Sequence, residues 1–153
     1  MNYCPLRYAD VVLMAAEAYN ETGTDREKAW RLLNSVRTRA EATSITEENY
    51  EEMMSARKKT HNLTFIDDST PEGKFRTVLY WERGLELAFE GQRKYDLLRW
   101  GVLGKALKLF GEASSVNQKE NKPYPAYRNF TEGKHELFPI PLKEMQSNPK
   151  LNG

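Results

Sequence analysis

Apolar residues recur along this chain at intervals of three and four rather than alternately, which is the period of helix. Between Leu6 and Glu21, Tyr8, Val11, Val12, Ala15, Ala18 and Tyr19 form a stripe, and Ala9, Leu13 and Ala16 widen it. A helix so apolar around its circumference belongs between neighbours. Thr22-Gly23 closes it, with glycine as the C-terminal cap. Thr24 and Glu27 have the spacing of a capping box for a second helix. That helix places Ala29, Leu32, Leu33, Val36 and Ala40 on one face and Arg37 and Arg39 opposite. Two helices joined by so short a turn make an antiparallel hairpin.

The pattern then weakens. Ser44 and Glu47 open a third helix, about Glu47 to Thr60, whose thin apolar content (Tyr50, Met53, Met54) predicts a surface position. His61 to Pro71 reads as a loop, and Thr70-Pro71 as a helix start with proline in the first turn. A long helix follows from about Glu72 to Glu90, stopped by Gly91. Arg93 to Trp100 and Val102 to Phe110 read as two shorter helices closed by Gly101 and Gly111. From Glu112 to Glu136, Ser, Asn, Lys and Pro predict a long irregular loop. Phe138-Pro139-Ile140-Pro141 must be extended, since each proline drives its predecessor out of helix. Leu142 to Gln146 is one more helical turn. Strand signals are nearly absent, so the fold class is all-α.

The segment from Glu82 to Trp100 mixes charge and bulk most densely. Val78, Trp81, Leu85, Ala88 and Phe89 share one helical face, while Leu79, Arg83, Glu86, Leu87 and Glu90 spread over the other. Apolar residues on both sides predict a helix wedged between neighbours with its charges partly covered. Buried charge is costly unless paired. Glu82, Glu86 and Glu90 are therefore read as structural ion-pair partners of nearby Arg83 and Arg93, in preference to catalytic carboxylates.

Composition narrows the function. The 153 residues suffice for one domain, 39% are hydrophobic, and the formal charge is +1. Near-neutral charge, with Arg57-Lys58-Lys59 as the densest basic run, gives no support to nucleic-acid binding. Cys4 alone makes neither an internal disulfide nor a thiolate cluster. It precedes Pro5 with no histidine nearby, and no apolar segment stands before it, so it reads as neither a nucleophile nor a lipidation site, and Met1-Asn2-Tyr3 begins no signal peptide. No stretch approaches the ~20 apolar residues of a membrane span. His135 has Glu132 three residues before it, but in a loop, so no metal or other cofactor is expected. Gly101-Val102-Leu103-Gly104-Lys105 lacks the preceding strand of a phosphate cradle. Tyr124, Tyr127 and Phe130 remain; as exposed rings they would stack on sugar faces, and as buried ones they would pin their loop.

Four motifs in order resemble one family. Arg7 to Ala18 (RYADVVLMAAEA), Leu33 to Ala40 (LNSVRTRA), Glu82 to Trp100 (ERGLELAFEGQRKYDLLRW) and Phe138 to Leu151 (FPIPLKEMQSNPKL) are similar to the C-terminal motifs of SusD/RagB-like nutrient-binding outer-membrane lipoproteins of Bacteroidetes. The hairpin resembles one tetratricopeptide-type unit, of which about three are needed for a stable array. The resemblance implies a C-terminal portion with a hairpin at 1–41, an insertion at 42–71, signature helices at 72–111 and a closing loop at 112–153. It also implies a non-catalytic, surface-exposed outer-membrane protein that binds oligosaccharide or polysaccharide and serves a TonB-dependent transporter. Sugar contacts in such proteins come mainly from earlier parts of the chain, so the resemblance carries over the role but almost no binding residues, and Tyr124 and Tyr127 are the carbohydrate candidates only as exposed rings. A helical-repeat interaction scaffold is the alternative, and the all-round apolar first helix predicts self-association.

Overall fold

The computed structural model describes residues 6–113, 129–148 and 150, with residues 112 and 113 as backbone only. Among them the elements are all helical: α1 Tyr8–Thr22, α2 Arg26–Arg39, α3 Tyr50–Thr60, α4 Pro71–Glu86, α5 Arg93–Arg99, α6 Leu103–Ala113 and α7 Leu142–Ser147. The α1–α2 hairpin forms as the periodicity predicts, and α1 packs on both α2 and α4.

The caps explain most boundaries. Gly23 takes φ 65° and donates its N–H to Asn20 O, ending α1. The cap of α2 is Asp25, whose carboxylate accepts from Lys28 N at 2.8 Å, and not Thr24. The Thr24 hydroxyl is instead engaged with Thr22 Oγ1, 2.8 Å away. Thr70 caps α4 by accepting from Gly73 N at 3.0 Å, as its sequence signal predicts. The third helix starts at Tyr50 rather than Glu47, because Asn49 and Thr46 lock a turn ahead of it: Thr46 N donates to Asn49 Oδ1 at 2.7 Å. Gly111 lies inside α6 and does not close it.

Three expectations about faces and ends are corrected. The buried face of α1 is Asp10, Val12, Leu13, Ala16 and Asn20, so Tyr8 and Val11 of the predicted stripe point outward. The rotation carries Asp10 to a buried arginine on α4. The third helix lies at the surface as expected, with Glu51, Glu52, Ser55, Ala56, Lys59 and Thr60 exposed, but Tyr50 and Met54 are fully buried and Tyr50 Oη donates to Asp68 Oδ2 at 2.7 Å. On α4 the buried residues include Phe75, Val78, Leu79, Tyr80, Glu82 and Arg83, while Leu85 is exposed. The long helix ends at Glu86, four residues before the predicted Glu90. The turn that follows swings Glu90 back onto Arg7 Nε at 2.9 Å.

That turn holds Phe89 at φ 64° with its ring fully in solvent. A left-handed backbone costs an L-residue about 1–2 kcal/mol. Phe89→Gly is therefore expected to raise stability by about 1 kcal/mol in urea unfolding, the relief of strain being offset in part by the freer unfolded chain. A loss of stability would show that the ring is packed in solution.

Two apolar clusters meet along α4. The first joins α1 to α4 through residues such as Leu13, Leu33, Tyr50 and Phe75, with Trp30 edge-on to Phe75 at 4.9 Å. The second gathers Leu63, Tyr80, Leu97, Leu103 and Ala106. Trp81 and Trp100 are half-buried and touch both clusters.

Candidate functional site

Charge fastens the hairpin to the later helices. Arg83, whose side chain is 3% exposed, lies 2.7 Å from Asp10 on α1 and 2.8 Å from Asp96 on α5. Glu82 meets Arg37 at 2.5 Å, and Glu86 meets both Arg7 at 2.9 Å and Arg39 at 2.5 Å. The acidic residues of α4 are ion-paired as expected, but their partners come from the hairpin, not from Arg83 and Arg93. Arg93 instead lies over the Tyr80 ring, 3.9 Å from its centre, and donates to Tyr80 O. The hydrogen bonds from Arg7 hold the Glu90 carboxyl below its ordinary range and raise the Arg7 guanidinium, so both stay charged.

This frame opens a cleft of about 470 Å³ between α1, the 61–70 segment, α4 and the α5–α6 junction. Leu79, Tyr80, Trp100 and Phe65 give it aromatic and aliphatic walls. The Phe65 ring stands edge-on to Tyr80 at 5.8 Å, and Tyr80 lies 6.0 Å from Trp100. Burial pushes the Tyr80 hydroxyl above its ordinary pKa, so that ring stays neutral.

Planar polar groups line the rest. Arg99 donates from Nη1 and Nη2 to the two oxygens of Glu17, each at 2.6 Å, and Trp100 Nε1 donates to the same carboxylate at 2.6 Å. Arg76 grips Glu21 in the same forked manner at 2.7 and 2.5 Å. That hydrogen bonding lowers the Glu21 pKa against the opposing effect of burial. Asp67 accepts from the Ser69 hydroxyl at 2.6 Å and from Ser69 N at 3.1 Å, which holds its carboxyl low. Among the described residues, no serine, cysteine or histidine lines the cleft. Aromatic walls with ionised, pre-oriented donors and acceptors beside them suit a ligand with apolar ring faces and many hydroxyls.

Tyr124 and Tyr127 lie outside the described residues. Phe130 packs into the second cluster, so close to Gly104 that a Cβ there would come within 2.8 Å of its Cε1. Its role is pinning. His61 stacks on Phe110 at 5.0 Å, and His135 Nδ1 accepts from Thr131 N at 2.7 Å. Among the described residues, no cluster of His, Cys, Asp or Glu has the arrangement of a metal site. Phe65, Arg76 and Arg99 escaped sequence reasoning because no local spacing links positions 17, 65, 76 and 99.

Comparison with known proteins fixes the family. The family model for the SusD family matches residues 1–152. This chain belongs to the SusD family. It is 33% identical to SusD-like protein P2 of Formosa agariphila over 150 residues, which cover 98% of this chain and 25% of that protein. It is 35% identical to SusD-like protein P25 of the same organism over 150 residues, 98% of this chain and 23% of the relative. SusD-like protein P38, also from Formosa agariphila, is 27% identical over 150 residues, 98% of this chain and 24% of that protein. The chain thus spans about a quarter of the length of the curated relatives it matches. No solved structure matches it at a significant level. No described helix is long and apolar enough to cross a membrane.

Proposed function

We propose that this chain is the C-terminal portion of a non-catalytic, surface-exposed outer-membrane protein that binds oligosaccharides and passes them to a TonB-dependent transporter. Family membership supports the uptake role. The observation that ties the reading to these residues is the cleft, where Phe65 and Trp100 stand beside the Glu17–Arg99 and Glu21–Arg76 pairs. Sugar rings stack on the aromatic walls, and their hydroxyls bond to the fixed carboxylates and guanidiniums at the rim.

Isothermal titration of the chain against a panel of plant, algal and host oligosaccharides tests this. At least one is expected to bind, with affinity falling about tenfold in Trp100→Ala, the equivalent of about 1.4 kcal/mol of lost stacking and hydrogen bonding. Circular dichroism checks that the variant stays folded, and Phe65→Leu supplies a milder second variant. A well-folded chain that binds no member of the panel would remove the sugar site from this segment.

One observation favours the scaffold reading as a second role. Tyr8, Val11 and Met14 expose apolar surface along α1, the face a further helical unit or a second copy of the chain would cover. Protein capture through α1 without sugar binding is the result that would prefer it.

A further inference from the structure

Beside the aromatic cleft lies a second hollow of about 420 Å³, lined by Thr64, Phe65, Lys105, Lys108 and Leu109. Phe65 lines both, so its ring stands where the two meet. The charges on either side differ in kind. In the aromatic cleft each arginine is already committed to a carboxylate, Arg99 to Glu17 and Arg76 to Glu21. Among the described residues, the charged side chains of the second hollow are Lys105 and Lys108, both exposed and one helical turn apart on α6. Neither has an acidic partner among the described residues. Thr64 adds an exposed hydroxyl next to Phe65.

An apolar ring flanked by two ammonium groups, neither with an acidic partner among the described residues, and a hydroxyl matches a sugar that carries an anionic substituent. The ring face packs on Phe65, and a carboxylate or sulfate ester reaches Lys105 and Lys108. The other hollow has a different polarity: it holds Asp67, whose carboxylate is satisfied by Ser69 and not by an arginine, so an anionic sugar unit is disfavoured at that end. We propose that the Phe65–Lys105–Lys108 hollow is a subsite for a negatively charged sugar unit, either a uronate or a sulfated residue, and that it selects acidic over neutral oligosaccharides. This rests on the sugar-binding reading of the adjoining cleft and adds to it a chemical class and a direction: the anionic unit lies on the α6 side of Phe65, and neutral units lie toward Trp100.

The test uses affinity electrophoresis and titration of the full chain with three anionic glycans, namely polygalacturonate, alginate and a sulfated galactan. Each is paired with its carboxyl-reduced or desulfated counterpart. At least one anionic member is expected to bind about tenfold more tightly than its neutral partner at low salt, the gain shrinking as ionic strength rises. Lys105→Gln/Lys108→Gln removes no apolar contact from the core, since both side chains are exposed, and is expected to abolish the preference while leaving affinity for the neutral partner intact. Phe65→Leu is expected to weaken both. Equal binding of charged and neutral partners, or a preference that survives the double lysine variant, overturns the subsite and leaves the sugar-binding cleft standing. Failure of every glycan, charged or neutral, overturns both. The carboxylate and sulfate members of the panel distinguish the two sources of charge.

Discussion

Replacing Arg83 with alanine is expected to lower the stability of this protein by about 3–5 kcal/mol. The guanidinium sits between Asp10 and Asp96, and all three side chains are less than a tenth exposed. Removing it strands the Asp10 carboxylate in a space that excludes water, where an unpaired charge is most costly, and leaves Asp96 with Arg99 alone, 3.0 Å away. Lysine is a poor replacement, because a single ammonium cannot present the planar fork that spans carboxylates on two helices. The network itself adds little net stability: Arg83 Nη1 is buried with no hydrogen-bond partner, a desolvation cost that the ion pairs must offset. Hence the triple variant Asp10→Asn/Arg83→Met/Asp96→Asn is expected to recover most of the loss, since it leaves no uncompensated charge. Guanidinium titration of the three proteins measures this. A loss below about 1 kcal/mol in Arg83→Ala would show that water reaches the site and screens both carboxylates.

Gly73→Ala is expected to act on the cleft as well as on stability. A methyl group at Gly73 would fall 1.6 Å from the backbone oxygen of Asp67 and 2.7 Å from its carbonyl carbon. Both are main-chain atoms, so no side-chain rotation relieves the clash, and the 61–70 segment must shift. Overpacking of this sort costs about 1–3 kcal/mol. The same segment carries Phe65, Ile66 and Asp67 into the cleft, so its displacement moves the aromatic wall. The expected result is a lowered melting temperature together with weakened glycan binding. Gly104→Ala, which meets the Phe130 ring instead of backbone, is the comparison: a flexible side chain can yield there, and the 61–70 segment is untouched. Equal effects on binding from both variants would break the link between Gly73 and the cleft.

The helical hairpin and the capped start of α4 at Thr70-Pro71 were legible in the sequence, because each depends on spacing within a few residues; that the acidic residues of α4 are paired was legible too, but not their partners, which come from the distant hairpin. The rotation of α1 was not. Tyr8 and Val11 belong to the more continuous apolar stripe, yet the buried face is the one that brings Asp10 to Arg83. Hydrophobic period reports how apolar a face is, and on a helix apolar nearly all round it cannot choose between faces when a distant charge decides. The early end of α4 was hidden for a similar reason: Leu87 and Ala88 favour helix, and the turn is stabilised by Arg7 from the other end of the chain. The cleft was invisible in the sequence because its residues run from Glu17 to Val102 and share no motif.

The clamps that join the hairpin to the later helices have a consequence for when the cleft can exist. Arg7 meets Glu90 across 83 residues and Glu17 meets Arg99 across 82. The hairpin is made of local contacts and forms on its own timescale, but these closures wait for nearly the whole segment and carry its largest loop-closure cost. As the chain leaves the ribosome, Glu17 is exposed long before Arg99 and Trp100 arrive to bind it. The walls of the cleft are therefore a late product of folding, and a ligand bound there would hold together residues from the two ends of the segment. Such a ligand is expected to raise global stability with its concentration by mass action, which makes thermal unfolding the expected readout of occupancy of the cleft.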